Sequence, residues 1–146
     1  MGRALVRSGM SRLFFVLSFL TASPDISAGQ EPLAQVARAA REAVIRGDFG
    51  SLVPNVAGVQ LRLPGVEPSG SLGRAQASAT LRDAFRRTET SEVTIEDFRE
   101  VGGGRAFVEL RREYRIQGSS SRKSQKILLS YRKSGDTWEL VEVRAN

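Results

Sequence analysis

The chain has 146 residues, 40% hydrophobic and 26% charged, with 22 Lys and Arg against 16 Asp and Glu for a net charge of +6. That length and apolar share suit one globular domain with its own core, and leave little material for a second. Histidine and cysteine are both absent, which excludes imidazole acid–base chemistry, thiol nucleophiles, disulfides and thiolate zinc sites.

The opening stretch, "MGRALVRSGMSRLFFVLSFLTASPDISAGQ", sets Arg3, Arg7 and Arg12 ahead of an apolar run from Leu13 to Leu20, with small residues Ser27, Ala28 and Gly29 after Pro24. A basic start, a short apolar middle and a small-residue end predict a secretory signal peptide over residues 1–28, cut near Ala28 or Gly29. The run is shorter than the ~20 apolar residues a spanning helix needs; the alternatives are an uncleaved anchor or a start placed too early. No cysteine follows to carry a lipid, so the expected product is a single domain over 29–146, exported to the periplasm or secreted, without a stable membrane span. Removing residues 1–28 leaves 19 cations against 15 acids, or +4. These are interleaved in "LRREYR" and "EDFRE", a solvated mixed-sign surface rather than a nucleic-acid footprint.

From Glu31 to Arg46, Leu33, Val36, Ala37, Ala40 and Val44 recur at three- and four-residue steps opposite Arg38, Arg41 and Glu42, predicting an amphipathic helix with Pro32 in its first turn. Gly47 suits a left-handed helix end, and Asp48 can cap a short turn carrying Phe49, Leu52 and Val53 before Pro54 stops it. "GVQLRLPG" then alternates Val59, Leu61 and Leu63 with Gln60 and Arg62, predicting a half-buried strand. Ser71 is a candidate cap for a helix through "RAQASATLRDAFRR", whose apolar face is Leu72, Ala77, Leu81, Ala84 and Phe85. Thereafter "SEVTIEDFREV", "RAFVELRREYRIQ", "SQKILLSYRK" and "DTWELVEVRA" predict four strands joined by "GGG", "GSSSRK" and "SGD". Such short connections make an antiparallel meander. "GGGR" lacks phosphate-loop spacing and reads as a hairpin turn; "GSSSRKSQK" reads as a solvated hairpin tip, with capture of an anionic envelope polymer by Arg122, Lys123 and Lys126 as the alternative.

Two helices and a strand ahead of four antiparallel strands, with "GDFGSLVPNVAGVQLRLPG" joining first helix to first strand, resemble the NTF2-like (cystatin-like) superfamily over residues 31–146. More narrowly, "LPG", "LGRAQASATLRDAF" and "SGDTWELVEVRAN" resemble the exported DUF4783 type of that superfamily. The resemblance implies an α+β cone, its N-terminal helices packed on a strongly curved antiparallel sheet with a mixed edge. It implies no settled activity, because this scaffold hosts enzymes, binding modules and structural parts alike.

Strand phase selects the polar residues that would line the cone. Val93 and Ile95 put Asp97 on the buried face, with a bulge expected at Phe98. Ala106, Val108, Leu110 and Ile116 share a face with Arg112 and Tyr114; Ile127 and Leu129 share one with Tyr131; Trp138 and Leu140 bring Glu142 in phase. Asp97, Arg112, Tyr114, Tyr131, Trp138 and Glu142 are therefore the ligand-binding candidates at the cone mouth. The competing structural reading makes the aromatics core residues with polar tips and Arg112 the partner of Asp97 or Glu142 in an ion pair. The outer face, with Phe107, Leu128, Val141 and Val143 among charges, is a candidate homodimer surface.

No strong catalytic set, metal site or cofactor motif emerges, so the reading is an exported, non-catalytic binding or interaction module of the cell envelope, holding a small apolar or anionic ligand or a protein partner. Two alternatives stand beside it: a small lyase or isomerase using Asp97 as general base, and a structural homodimer with a filled cone. The lack of histidine separates the chain from the His-dependent dehydratases of the superfamily.

Overall fold

The computed structural model describes residues 32–53 and 58–146; the signal peptide expected over 1–28 and the helix stop expected at Pro54 lie outside the described residues. The first helix, α1 (Leu33–Arg46), starts after Pro32, which stands at the extended N-cap rather than inside the first turn. Its apolar stripe buries Val36, Ala37, Ala40, Ala43 and Val44. Gly47 ends it at φ 66°, a left-handed conformation that costs glycine nothing. Asp48 then caps the four-residue α2 (Phe49–Leu52), accepting hydrogen bonds from Ser51 N (3.2 Å) and Ser51 Oγ (2.6 Å). Those bonds hold its carboxyl below the ordinary value.

The strand β1 (Gln60–Arg62) keeps the expected alternation, with Val59, Leu61 and Leu63 buried. The helix α3 (Arg74–Phe85) starts at Gly73 and has no side-chain cap. Ser71, the expected cap, instead packs against Gly58 beside a Val59–Leu72 bridge whose two N–H···O bonds are each 2.9 Å. The apolar face of α3 is correspondingly narrower than its sequence suggests: Ala77, Ser78 and Leu81 are buried and Ala84 is exposed.

The meander follows as β2 (Thr88–Gly102), β3 (Arg105–Ile116), β4 (Arg122–Ser134) and β5 (Thr137–Ala145), all antiparallel. Gly103 and Gly104, at φ 63° and 67°, form the two-residue β2–β3 turn, as "GGG" predicts. The strand order is β1-β5-β4-β3-β2, with β1 running parallel to β5 to give the mixed edge. Register shifts mark bulges in β2 between Thr90 and Glu92, Ile95 and Asp97, and Glu100 and Gly102. Another makes Val141 the extra residue of β5, since Ser130 pairs with Glu142 and Tyr131 with Leu140. Bulges bend and twist the strands that carry them, and the sheet curls without closing. The helices fill its inner face: α1 lies chiefly on β2, tied by Arg41 Nε donating to Val93 O at 2.7 Å. Val108, Leu110, Leu129 and Val143, each at most 1% exposed, form the layer beneath.

Candidate functional site

The bulges redistribute the residues assigned to the cone mouth. In β2 the extra residue is Glu96, one step before Asp97, rather than Phe98. Asp97 therefore pairs opposite Glu109 on the outer face, exposed and 3.6 Å from Arg99, while Phe98 takes the inner phase opposite Val108. In β5 the bulge at Val141 does the same to Glu142. It turns outward and meets Arg144 at 3.0 Å and Arg62 at 3.5 Å, and Val143, expected outside, enters the core. Asp97 and Glu142 thus leave the site, and neither pairs with Arg112.

Tyr131 and Trp138 do face inward, but elsewhere. They are buried against α1 and α2 beside a hollow of about 180 Å³ that also touches Val36, Ala40, Ser51 and Leu52. Lys133 Nζ lies 5.2 Å over the Trp138 ring. Tyr131 stands six residues along β4 from Gln125, the residue paired with Arg112, which at ~3.3 Å per residue is about 20 Å. The two aromatics therefore belong to the core at the opposite end of the sheet, consistent with the structural alternative for them.

Arg112 and Tyr114 remain, in contact with each other and lining one cavity. Arg112 is 2% exposed. It sits on β3 where the inner face passes under the end of α3, and neighbouring strands satisfy it from both sides. Nε donates to Thr90 Oγ1 at 2.7 Å, Nη2 to Thr88 Oγ1 at 2.6 Å and Nη1 to Gln125 Oε1 at 3.3 Å. Thr88 is itself fixed, donating to Phe85 O at 2.8 Å. The guanidinium carbon lies over the rings of Phe85 (4.5 Å) and Tyr114 (4.6 Å), and Phe85 in turn stacks on Phe49 at 5.1 Å. Burial pushes the Arg112 pKa down to about 10, which still leaves it cationic at neutral pH. No Asp or Glu among the described residues forms an ion pair with it.

Beside this cation lies a cavity of about 250 Å³. Leu63, Pro64, Ala84 and Ala145 contribute apolar wall, and Thr88, Tyr114, Ser124, Gln125 and Asn146 polar wall. A second hollow, about 270 Å³, meets Arg112 from the other side between the C-terminal ends of α1 and α3; its further charged residues are Arg46, Arg82 and Arg86. No Asp or Glu among the described residues lines either one. The strand partners Thr88, Thr90 and Gln125 carried no signal in single-strand patterning, because they meet Arg112 only through cross-strand register.

The outer face presents a broader groove of about 700 Å³, with Phe107, Leu128 and Val141 half-buried among Arg105, Arg132 and Arg144. Arg105 stands directly opposite Arg132 across β3 and β4. Arg132 lies 3.7 Å from the buried Glu139, whose Oε1 has no hydrogen-bond partner among the described residues.

No family model matches the sequence, and no curated protein matches it either. Solved structures do match. A DUF4783 family protein from Bacteroides uniformis superposes with a TM-score of 0.61 at 12% identity, covering 75% of this chain and 94% of its own. A ketosteroid isomerase-like protein from Erwinia carotovora gives 0.61 at 16% identity, covering 77% and 91%. A ketosteroid isomerase-like fold from Catenulispora acidiphila, in complex with trimethylamine, gives 0.58 at 16% identity, covering 79% and 86%. The fold is NTF2-like, as the order of elements implied, and DUF4783 proteins are among its structural neighbours.

Proposed function

We propose that the protein is an exported, non-catalytic binding module of the cell envelope, and that its ligand site is the cavity beside Arg112. The observation that carries this reading is a buried cation satisfied by neutral groups alone, at the wall of a largely apolar hollow. A buried charge without a counter-ion is costly, and a ligand that supplies the missing anion gives it a use. The Catenulispora complex is a precedent for a small guest on this fold. There the guest is trimethylamine; here the one charged side chain lining the cavity is itself cationic. A general-base role has no support at this site, since Asp97 lies on the other face of the sheet.

Native mass spectrometry of the protein purified from an export-competent host tests the reading, with N-terminal sequencing to locate cleavage near Ala28 or Gly29. A retained adduct that disappears in Arg112→Ala supports it. A bare spectrum, with no small molecule shifting the melting curve of the wild type, refutes it in favour of a filled cone. The outer groove is proposed as the seat of a second copy, its half-buried Phe107, Leu128 and Val141 giving an apolar centre among charges. Light scattering should give a dimeric mass that Leu128→Glu reduces to a monomer; a monomeric wild type overturns that pairing without touching the cavity.

A further inference from the structure

We infer that the ligand of the Arg112 cavity is a small monocarboxylate with a compact apolar body, an assignment that rests on the cavity being a ligand site at all. A guanidinium has five N–H donors. Thr90, Thr88 and Gln125 take three of them, one at each nitrogen, which leaves one N–H on Nη1 and one on Nη2. With Cζ over the rings of Phe85 and Tyr114, the approach left for a ligand to those donors is edge-on, in the guanidinium plane.

Gln125 adds to this edge. Arginine can only donate, so the amide oxygen must be the atom facing Arg112, and the NH2 group is thereby turned away from it. That NH2 has no partner among the described residues, and Gln125 lines the cavity. The polar wall, to which Thr88, Ser124 and Asn146 also belong, thus offers two guanidinium N–H groups and an amide NH2 beside Tyr114, and no Asp or Glu side chain among the described residues. With Arg112 as the charged side chain among the described lining residues, such a wall favours anionic oxygen over ammonium groups.

Charge and shape narrow the class. One buried cation neutralises one negative charge, and a carboxylate places two oxygens in a single plane, matching two in-plane donors. A phosphate dianion would carry a second charge and an out-of-plane oxygen towards ring faces and apolar wall, where neither is compensated. Leu63, Pro64, Ala84 and Ala145 suit a hydrocarbon body, and about 250 Å³ falls below the roughly 300–1,000 Å³ of drug-sized pockets. Arg46, Arg82 and Arg86 around the adjoining hollow extend the positive field outward, which raises the encounter rate of anions over cations.

Isothermal titration of the purified protein with sodium butyrate, hexanoate and benzoate tests the assignment against benzyl alcohol, benzylamine and phenylphosphonate. At least one carboxylate should bind saturably, roughly tenfold or more tighter than benzyl alcohol, with no binding of benzylamine. Arg112→Lys keeps the charge but loses the fork, and Gln125→Leu leaves Arg112 in place; each should weaken the carboxylate while far-UV circular dichroism stays native. Equal affinity for benzyl alcohol, or tighter binding of phenylphosphonate, overturns the monocarboxylate while leaving the cavity a ligand site. Carboxylate binding unchanged in both variants overturns the placement at Arg112. No binding of any probe, together with a bare native mass spectrum, overturns both the assignment and the reading beneath it.

Discussion

Exchanging valine for threonine on either side of the β5 bulge tests the phase on which the whole site depends. The two residues are nearly isosteric, so the exchange adds a hydroxyl without opening a cavity. Val143 is 1% exposed and pairs with Leu129, which is fully buried. A hydroxyl there has no acceptor beyond the strand's own backbone, and burying it costs ~1–3 kcal/mol. Val141 is half-buried on the outer face, where water reaches the new group, and Val141→Thr should stay within ~0.5 kcal/mol. With a urea dependence of ~1–3 kcal/mol per molar for a small domain, Val143→Thr should lower the unfolding midpoint by about 1 M and Val141→Thr by a quarter of that or less. Unbroken alternation from Trp138 and Leu140 makes the opposite forecast, with Val141 and Val143 both outside and Glu142 inside. Equal, small shifts for the two variants would therefore refute the bulge, and with it the exclusion of Glu142 from the site.

Other perturbations give equally direct readings. Phe85→Leu keeps apolar volume but loses the stack on Phe49 and the face beneath Arg112, and should cost ~1–3 kcal/mol in urea unfolding; an unchanged midpoint counts against the aromatic bracket. Gly58→Ala would place a Cβ 1.3 Å from Ser71 Oγ and 2.5 Å from Ser71 Cβ, so it should destabilise by ~1–3 kcal/mol. Ser71→Gly, but not Ser71→Ala, should restore stability, because only glycine clears the nearer side-chain atoms. The hydrogen bond from Lys126 (2.7 Å) lowers the Glu109 pKa below 4.5. A carboxylate with a lowered folded value stabilises above its unfolded value and loses that contribution as pH falls through the folded one. The advantage of wild type over Lys126→Met should accordingly fade as the pH falls below 4.5, and a gap that stays constant on acidification would rule the pair out as its source.

The helices were legible because their signals are local. The stripe of α1, the left-handed stop at Gly47 and the Asp48 cap each depend on residues within one turn. The strands were legible as strands for the same reason, and Arg112 fell on the correct face because β3 pairs without interruption beside Val108 and Leu110. Bulges are different. Glu96 and Val141 bear no glycine or proline to mark them; each is an extra residue only relative to its partner strand, and each inverts the phase of the residues after it. Asp97, Glu142 and Val143 were all misplaced by that single kind of event. Alternation also says nothing about position along the sheet, which is why Tyr131 and Trp138 shared a face with Arg112 yet stand at the other end.

The parallel pairing of β1 with β5 joins Gln60 to Glu142, the first of the described strands to the last. Closing so long a loop is entropically slow, whereas each hairpin of the meander closes over a few residues. Docking of β1 is thus expected late in folding, and this short edge is expected to open first when the native protein breathes. Leu63 and Pro64, just past β1, continue beside Ala145 and Asn146, at and past the end of β5, and all four line the Arg112 cavity. The edge that assembles last is also a wall of the cavity, so on the proposed binding role a guest would exchange through a local opening while the four-stranded meander stays intact.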